Sequence, residues 1–496
     1  MLLLRNLLAL LSLLAAFSAP ARAAQPATGG ITGRVQNLVS GLYLSNARVS
    51  VPGTELVAFT DQYGTYRLTN VPSGTATLEV FYTGLDTQRA SVAVSAGGVV
   101  TQDFGLSSAA RFGKGDVVRL DAFTVASARE TDNDSIAINE QRFAPNIKTV
   151  VAADSLGDVM DGNVGEFLKY LPGITAEYDT ESGGSVASVS VRGFPTSMAV
   201  LSTDGMEMAN TGNPQGASRV FQFKEVSINN ISRLEVSKVP TPSTPADSMS
   251  GSIDMVSKSA FERKTAQLRY SVSLAGIHNR LSLGREPHVS DEMIYKVRPS
   301  FNFDYTLPVN RDFGLVITGQ VQSRFVEQQR STKGYNTNAA GTGATVERPF
   351  LNSYQVISVP RLTARQSGAV KADWRPHANG VLSLNVERSR FIADRSNASI
   401  NFTTGTAATP SVTPGVGLTF GPDFSAGATG RGGVALMGAG ASVVQRLDTQ
   451  AASLRYRFDD GTWRVIGGLG LSSAWGGYYD TNEGRFRTLG IALTNP

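Results

Sequence analysis

The chain has 496 residues, 51 of them glycine, and charged residues make up only 17%. This length exceeds what one hydrophobic core ordinarily organises, so we expect several folding units. The net charge of +4 is small, and the basic residues form no stripe, which argues against a nucleic-acid partner. The sequence contains no cysteine, which excludes disulfides and thiolate sites, and its three histidines are too scattered to indicate a metal site.

An apolar segment lies at the N-terminus. Arg5 precedes an apolar run over residues 7–17, and Ala21-Arg22-Ala23 has the layout of a cleavage site. The run is shorter than the ~20 residues that a transmembrane helix needs. We therefore predict a signal peptide over residues 1–23 and export from the cytoplasm. No later segment is apolar enough for a spanning helix, so an embedded protein would need closed β-structure.

Residues 27–106 contain short alternating segments separated by turn residues, a pattern typical of a small β-sandwich. The predicted strands cover residues 31–35, 47–51, 64–68 and 76–80. The phrase from Thr60 to Tyr66, followed by Asn70-Val71-Pro72-Ser73-Gly74, resembles the carboxypeptidase regulatory-like domain. The resemblance implies a non-catalytic appendage. No zinc-ligand pair or catalytic carboxylate group accompanies it, which argues against an enzyme.

Residues 107–139 are rich in small and polar residues and are predicted to form a linker. One β-prone segment interrupts it, and such a segment can add as a strand to the sheet of another protein. The five residues Asp121, Ala122, Phe123, Thr124 and Val125 resemble the TonB box, the segment through which TonB-dependent receptors contact TonB. The alternative interpretation is the last strand of the sandwich or ordinary linker.

Residues 140–258 show a mixed α+β pattern. Val164, Phe167, Leu168 and Leu171 lie on one face of a predicted helix, and Pro172-Gly173 ends it. Strands are predicted over residues 186–191, 198–202 and 231–236. Four blocks resemble the plug domain of TonB-dependent receptors, in the order and spacing of that family. They are Leu171-Pro172-Gly173-Ile174, residues 189–194, Thr203-Asp204-Gly205 and residues 231–238.

The resemblance assigns structural or gating roles to residues in these blocks and just after them. The charged members are expected to form ion pairs within the plug or with the barrel wall, because an unpaired buried charge is costly. These residues are Arg192, Gly193, Asp204, Gly205, Glu235, Lys238, Pro240 and Gly251. The chain departs from the common pattern at Val239, where many relatives have glycine, and at Asp247-Ser248, where many have an aromatic residue followed by glycine.

Residues 259–496 alternate between apolar and polar side chains. Leu268, Tyr270, Val272 and Leu274 share one face of a predicted strand, and Arg269, Ser271 and Ser273 share the other. About seven such strands are separated by turns and by polar stretches at residues 327–348 and 403–440, which are predicted loops. The pattern favours a transmembrane β-barrel over a soluble sandwich. Receptors with a plugged lumen have about 22 strands, so we expect this barrel to be incomplete.

The predicted fold class is therefore mainly β, with a β-sandwich, an α+β plug and an antiparallel transmembrane barrel. We find no catalytic motif and expect no enzyme activity and no cofactor. The family resemblance implies an outer-membrane transporter with its N-terminal domain in the periplasm. Its implied partners are TonB with ExbB and ExbD, outer-membrane lipids, and a scarce bulky solute of the glycan or siderophore class. The alternatives are a non-transporting adhesin, for which passenger repeats are lacking, and a transducing receptor.

Overall fold

The computed structural model describes most of the chain after the predicted signal peptide. The described residues are 28–108, 135–153, 162–179, 184–211, 219–242, 244–277, 283–287, 293–337, 344–403, 419–420, 422–426, 431–437, 442–460, 463–480 and 489–494. They fall into two compact units, of which residues 28–37 and 44–108 form the first. The predicted TonB box, from Asp121 to Val125, and the signal peptide lie outside the described residues.

The first unit consists of two small β-sheets. Its strands are β1 (Thr28–Asn37), β2 (Arg48–Ser50), β3 (Val57–Phe59), β4 (Thr65–Pro72), β5 (Gly74–Phe81), β6 (Gln88–Val94), β7 (Val99–Thr101) and β8 (Phe104–Leu106). One sheet has the order β4-β1-β7, with β8 also paired to β1, and the other has the order β3-β2-β5-β6. All four strands predicted for this region are confirmed.

The core of the first unit lies between alternating strand positions. Ile31, Val35, Leu78 and Val80 are fully buried, since every second residue of a strand points to the same face. Tyr66 is buried too, and its hydroxyl donates a 2.6 Å hydrogen bond to the Gln102 carbonyl. A buried aromatic ring thereby keeps its polar end paired.

The second unit begins with an α+β module, which we call the plug. After helical residues at 135–142, its elements are β9 (Lys148–Ala152), α1 (Val164–Leu168), β10 (Ile174–Asp179), β11 (Ser185–Val191), β12 (Ala199–Thr203), β13 (Met206–Glu207), β14 (Ile231–Ser237) and β15 (Gly251–Ser257). Five strands form a sheet in the order β13-β12-β15-β14-β9, and β10 pairs with β11. The three strands predicted in this region are confirmed.

Helix α1 packs its apolar face into the plug core. Val164, Phe167, Leu168 and Leu171 are all buried, as the helical spacing predicts. The helix begins at the cap residue Asn163, whose side chain accepts a 2.8 Å hydrogen bond from the Gly165 N–H. It ends at Leu168 instead of Leu171, because the chain there enters a turn that leads to the left-handed Gly173, with φ +78°.

The rest of the second unit is dominated by one ten-stranded antiparallel sheet, which we call the wall sheet. Its strands are β16 (Gln267–Ala275), β19 (Arg298–Pro308), β20 (Phe313–Asn336), β21 (Phe350–His377), β22 (Gly380–Arg395), β23 (Ala398–Thr403), β26 (Arg431–Met437), β27 (Val443–Asp459), β28 (Arg464–Tyr479) and β29 (Leu489–Thr494). Seven of them follow one another in the order β16-β19-β20-β21-β22-β27-β28. The mainly β fold class is confirmed.

Two small hairpins complete the described strands. They pair β17 (Arg285–Pro287) with β18 (Met293–Tyr295), and β24 (Thr419–Phe420) with β25 (Ser425–Ala426). Within the described segments, none of the helices has the length and apolar character that crossing a membrane would require.

The wall sheet has an apolar outer face and a polar inner face. On β16, Leu268, Tyr270, Val272 and Leu274 point outward and are between 58% and 72% exposed. On β21 the inward residues Lys371 and Asp373 are buried against the plug. The two-residue alternation predicted from the sequence therefore places charged side chains on the plug side of the sheet.

The connections at the two ends of the wall sheet differ in length. At one end, short turns join β19 to β20, β21 to β22 and β27 to β28; at the other end, the strands extend beyond the apolar band. Residues 327–336, predicted as loop, continue β20 and pair with β21. This prediction was wrong because both faces of that segment are polar, so the alternation that reveals a strand is absent. The predicted loop at 403–440 likewise contains β24, β25 and β26.

Candidate functional site at the boundary of plug and wall

Asp204 is a plug residue that contacts two strands of the wall sheet, β21 and β27. It forms a two-residue turn with Gly205 between β12 and β13, at φ +51° and +78°, a backbone geometry that Asp-Gly adopts readily. The Asp204 carboxylate accepts hydrogen bonds from the backbone N–H of Ser257, at 3.0 Å, and from its hydroxyl. Lys371 Nζ of β21 lies 3.4 Å from the same carboxylate.

Two further wall contacts complete this cluster. Lys371 Nζ donates a 2.6 Å hydrogen bond to the Ser257 hydroxyl, and Arg455 of β27 donates a 3.0 Å bond to the Asp204 carbonyl. Burial alone would raise the pKa of Asp204, but the positive charge of Lys371 and the two bonds from Ser257 outweigh it and hold the pKa below its ordinary value. Asp204 is therefore a charged anchor between plug and wall.

Asp254 lies beside this anchor with the opposite electrostatic balance. Its carboxylate accepts hydrogen bonds from the Ser202 hydroxyl, at 2.6 Å, and from the Gly205 N–H, at 2.9 Å. Burial raises the pKa of Asp254 above its ordinary value, and the negative charges of Asp204 and Glu235 raise it further. The pKa values of two neighbouring aspartates are thus shifted in opposite directions by their surroundings.

Glu235 belongs to an ion-pair network inside the plug. It lies 2.9 Å from Lys148 Nζ of β9 and 2.9 Å from Arg233 Nε, and Lys148 also pairs with Glu140 at 3.2 Å. Burial opposes the charge of Glu235, but Arg233 and Lys148 outweigh it and lower the pKa of this carboxyl. The network joins β9 to β14, and β14 pairs with β15 at the centre of the plug sheet.

A second polar contact follows directly after β15. The Ser259 hydroxyl donates a 2.6 Å hydrogen bond to Asp373 of β21, and Ser383 of β22 donates a 2.5 Å bond to the other oxygen of that carboxylate. Lys258 pairs with Asp304 of β19 at 3.3 Å. Polar groups thus bind residues 258 and 259, where the chain leaves the plug, to two wall strands, β19 and β21.

The segment before β14 makes a third set of polar contacts. Glu225 accepts a 2.9 Å hydrogen bond from Thr449 of β27, and Asn230 donates a 3.2 Å bond to Glu387 of β22. Arg365 of β21 donates bonds of 3.0 and 3.2 Å to the Lys224 carbonyl. Burial raises the pKa of Glu225, although Thr211 and Thr449 hydrogen bonds oppose the shift.

Small cavities lie along this boundary. One of about 30 Å³ is lined by Glu225, Asn230, Glu387 and Ser389, among others. A second of about 20 Å³ adjoins Glu387 and Met208. Both are large enough for a water molecule, and Glu387 contributes to the lining of each.

Glycines of β28 face the plug segment that follows Asp204. A side chain at Gly468 or Gly470 would meet Met206, and one at Gly476 would meet Thr211. Between them, the Ala209 N–H donates a 2.9 Å hydrogen bond to the Ser472 hydroxyl. The plug backbone therefore approaches this strand closely along a row of small residues, which we call the glycine row.

The predicted plug-motif residues are divided between separate places. Asp204 and Gly205 lie at the wall boundary, and Glu235 lies in the internal ion-pair network. Arg192 donates its backbone N–H to the Gly173 carbonyl at 2.7 Å, and its guanidinium reaches the Ser250 carbonyl at 3.4 Å.

The remaining motif residues lie near Arg192 or at the surface. Gly251 has φ +143°, and a Cβ there would lie 2.6 Å from the Ser237 carbonyl oxygen, so the close approach of β14 and β15 requires glycine. Gly193, in the turn after β11, has φ +75°. Lys238 donates its N–H to the Ile147 carbonyl at 3.0 Å. Pro240 is exposed.

Sequence reasoning missed the wall partners of the plug. The wall residues that contact the plug directly are Lys371, Asp373 and Arg455. Within the plug, Asp254 was missed as well. A signal was available for two of them: Lys371 and Asp373 alternate with Val370, Ala372 and Trp374, which places two opposite charges on the polar face of one strand. In the part of the chain that the structure describes, no group of three acidic or histidine side chains could hold a metal ion.

Comparisons with protein families identify two regions of the chain. Residues 140–252 match the family model of the TonB-dependent Receptor Plug Domain, and residues 30–107 match that of the Carboxypeptidase regulatory-like domain. A comparison with curated proteins gives no match.

Solved structures that the chain resembles include two transporters and one siderophore receptor. The ferric citrate transporter FecA in the unliganded form is 11% identical over 70% of this chain and 57% of its own, with a TM-score of 0.31. The outer membrane transporter YddB from Escherichia coli is 9% identical over 66% of this chain and 52% of its own, with a TM-score of 0.28.

The third is the siderophore receptor PirA from Acinetobacter baumannii. It is 9% identical over 69% of this chain and 59% of its own, with a TM-score of 0.27. The chain therefore spans between 52% and 59% of the length of these three solved chains. From the family models, the chain carries the plug domain of TonB-dependent receptors, preceded by a carboxypeptidase regulatory-like domain.

Proposed function

We propose that the protein is a TonB-dependent receptor that takes up a scarce, bulky solute across the outer membrane. TonB, with ExbB and ExbD, supplies the energy, because the outer membrane has no ATP supply of its own. Asp121 to Val125 form the TonB box, and Asp204 is one of the gating residues, since it couples the plug to the wall. The protein is a transporter and not an enzyme.

The polar boundary between plug and wall is the observation that carries this proposal. Its contacts are hydrogen bonds and ion pairs, including Lys371 with Asp204, Ser259 with Asp373, and Thr449 with Glu225. A single hydrogen bond to a charged group contributes only about 1.5–3 kcal/mol, because water replaces it when it breaks. A plug held in this way is stable at rest, yet it can be displaced stepwise by a pulling force, which a continuous apolar core would resist.

The outer face of the wall sheet supports the location in a membrane. Leu268, Tyr270, Leu469 and Leu471 are more than half exposed and belong to one apolar surface that crosses several strands. Soluble monomers rarely expose so large an apolar patch, whereas lipid-facing barrels require one. We assign the short turns to the periplasm and the extended strand ends to the outside, with the N-terminal sandwich in the periplasm.

The transported solute belongs, in this proposal, to the glycan or iron-chelate class. The segment from Lys238 to Lys258 resembles a branch of these receptors that is often linked to carbohydrate uptake. The polar extensions of β20 and β21 would offer hydrogen-bonding groups to such a solute at the outer rim.

The decisive experiment removes Asp121 to Val125 from the full-length gene. We expect energised uptake to be lost, while ligand binding to whole cells and the amount of protein in the outer membrane stay unchanged. The matched control removes five other residues of the linker. They are chosen outside both the predicted TonB box and residues 107–112. Normal uptake by the first deletion would reject the TonB-box assignment.

A growth panel identifies the solute class. Strains with and without functional TonB are compared on limiting iron chelates and on oligosaccharides as sole carbon source. TonB-dependent growth on one solute supports transport and names its class. Binding of cells to a surface, with no TonB-dependent growth on any solute, would favour the adhesin instead.

A further inference from the structure

The outer face of the wall sheet carries a charged cluster directly beyond its apolar band. On β22, Leu382, Leu384 and Val386 point outward, and the next two outward residues are Arg388 and Arg390. Asp448 of β27 lies opposite Arg390 in the register of the two strands. The pattern thus changes from aliphatic to charged within one strand, on the same face.

Two guanidinium groups share the single carboxylate of this cluster. Arg388 forms a two-point contact with Asp448 at 3.1 and 2.7 Å, and Arg390 Nε lies 3.0 Å from the same carboxylate. The side chains of Arg388 and Arg390 are 55% and 44% exposed, whereas that of Asp448 is 11% exposed. The cluster therefore has an excess positive charge, and its exposed groups are the donors.

Arg390 keeps donor capacity after this pairing. Only its Nε contacts Asp448, and among the described residues no protein group accepts a bond from its two terminal nitrogens. A guanidinium offers five N–H donors in a fixed plane, which suits two oxygens of a phosphate. The terminal nitrogens of Arg390 therefore remain as donors beside the pair.

The height of the cluster matches the edge of a membrane. Strand β22 begins at Gly380, next to a short turn, and a tilted strand needs about 9–11 residues to cross the hydrocarbon layer. Aromatic residues lie near the same level on β28, where Trp475 pairs in register with Asp448 and is 57% exposed. Arg446 also lies over the Tyr479 ring, at 5.2 Å. Exposed aromatic and arginine side chains are typical of the boundary between lipid tails and head groups.

We propose that Arg388, Arg390 and Asp448 form a binding site for a phosphate group on the head group of a membrane lipid. The lipid tails would lie along Leu384 and Val386, and the phosphate would accept bonds from the terminal nitrogens of both arginines. The inference rests on the proposed function only for the placement of the outer face in a membrane. It concerns lipid binding, and it does not depend on TonB or on the transported solute.

The test measures lipid binding to the purified full chain in a non-ionic detergent by native mass spectrometry. The probe is diphosphorylated lipid A, compared with its fully dephosphorylated form and with inorganic phosphate. The wild-type protein should retain the phosphorylated lipid, and Arg390→Gln should weaken its binding by about tenfold. Arg311→Gln, which changes an exposed arginine in the short turn between β19 and β20, should bind like the wild type.

A second variant separates a phosphate site from a structural ion pair. Asp448→Asn keeps the side-chain shape and removes the charge that competes with phosphate, so it should bind the phosphorylated lipid more tightly than the wild type. A purely structural role predicts the opposite, because both arginines lose their partner. Equal binding of the dephosphorylated lipid, equal binding by Arg390→Gln and Arg311→Gln, or weaker binding by Asp448→Asn would each overturn the proposal. Competition by inorganic phosphate with no preference for the lipid would also do so.

Discussion

Asp204 of the plug and Lys371 of the wall lie 3.4 Å apart and share Ser257 as a common hydrogen-bond partner. The side chains are 10% and 6% exposed, so water screens this pair weakly. Because the pair joins two parts of the fold that the sequence separates widely, it offers a direct way to measure how firmly the plug is held.

Replacing Lys371 by methionine should weaken plug docking by about 3–5 kcal/mol, since Asp204 would keep a buried charge without its partner. The measurement is denaturant-induced exposure of the plug to protease in detergent. The double variant Asp204→Asn with Lys371→Met should recover most of the loss, because it leaves no unpaired charge. If Lys371→Met resists protease as well as the wild type, the pair contributes nothing to docking.

Acidification should loosen the plug through Asp204. The folded-state pKa of this carboxyl is lowered, so its contribution to stability is present above the ordinary carboxyl pKa of about 3.9 and is lost as pH falls through the lower value. Plug protection in the wild type should therefore fall below about pH 4, and Asp204→Asn should show a smaller change over that range. An identical acid response in both proteins would assign the effect to other groups.

Asp254 should contribute a pH dependence of stability opposite to that of Asp204, and Asp254→Asn tests this. Burial raises the folded-state pKa of Asp254, so ionisation of this group opposes folding as pH rises through that value. The amide oxygen can still accept the bonds from Ser202 and Gly205. We expect the variant to be more stable than the wild type at pH 8, with a difference that vanishes near pH 3, as read from unfolding curves at both pH values. A variant less stable at pH 8 would contradict this account.

Gly251→Ala should destabilise the plug more than Gly193→Ala. Both glycines have positive φ, which costs other residues about 1–2 kcal/mol, but only at Gly251 would the added Cβ collide with backbone, at 2.6 Å from the Ser237 carbonyl oxygen. Around Gly193 the space within 4 Å of an added Cβ is empty. Thermal unfolding of the two variants separates the shared cost of the backbone conformation from the collision. Equal losses would exclude a role for the close approach of β14 and β15.

A disulfide between plug and wall should block transport reversibly. The chain has no cysteine, and a Cβ at Gly470 would lie 3.5 Å from that of Met206, within the range of disulfides. The variant Met206→Cys with Gly470→Cys should bind ligand but show no uptake when oxidised, and it should recover uptake when reduced. Each single-cysteine variant is the control. Full uptake by the oxidised, cross-linked protein would mean that this part of the plug does not move.

The main elements could be predicted from the sequence because their signals are local. Alternation reveals the strands of the wall sheet, and the spacing of Val164, Phe167, Leu168 and Leu171 reveals the short helix. Residues 327–336 of β20 were not predicted as a strand, because both faces of this segment are polar and no apolar alternation marks it.

The candidate site could be predicted only in part, because its partners are distant in the chain. Asp204 lies in a recognisable motif, but Lys371 is 167 residues further along and Arg455 is 251 residues away. Their pairing depends on the register of several strands and on the position of the plug, which no local pattern contains. The sequence supplied the face on which such partners lie, and the fold decided which of them meet.

The glycine row of β28 bears on the direction in which the plug can move. Where side chains of two elements interdigitate, one element cannot slide past the other without steric clashes. Along Gly468, Gly470 and Gly476 the plug meets a strand without protruding side chains, and the Ala209 N–H bonds to Ser472 between them. Displacement of the plug along this strand therefore meets little steric resistance from β28, although it must also break the charged contacts at Lys371 and Asp373.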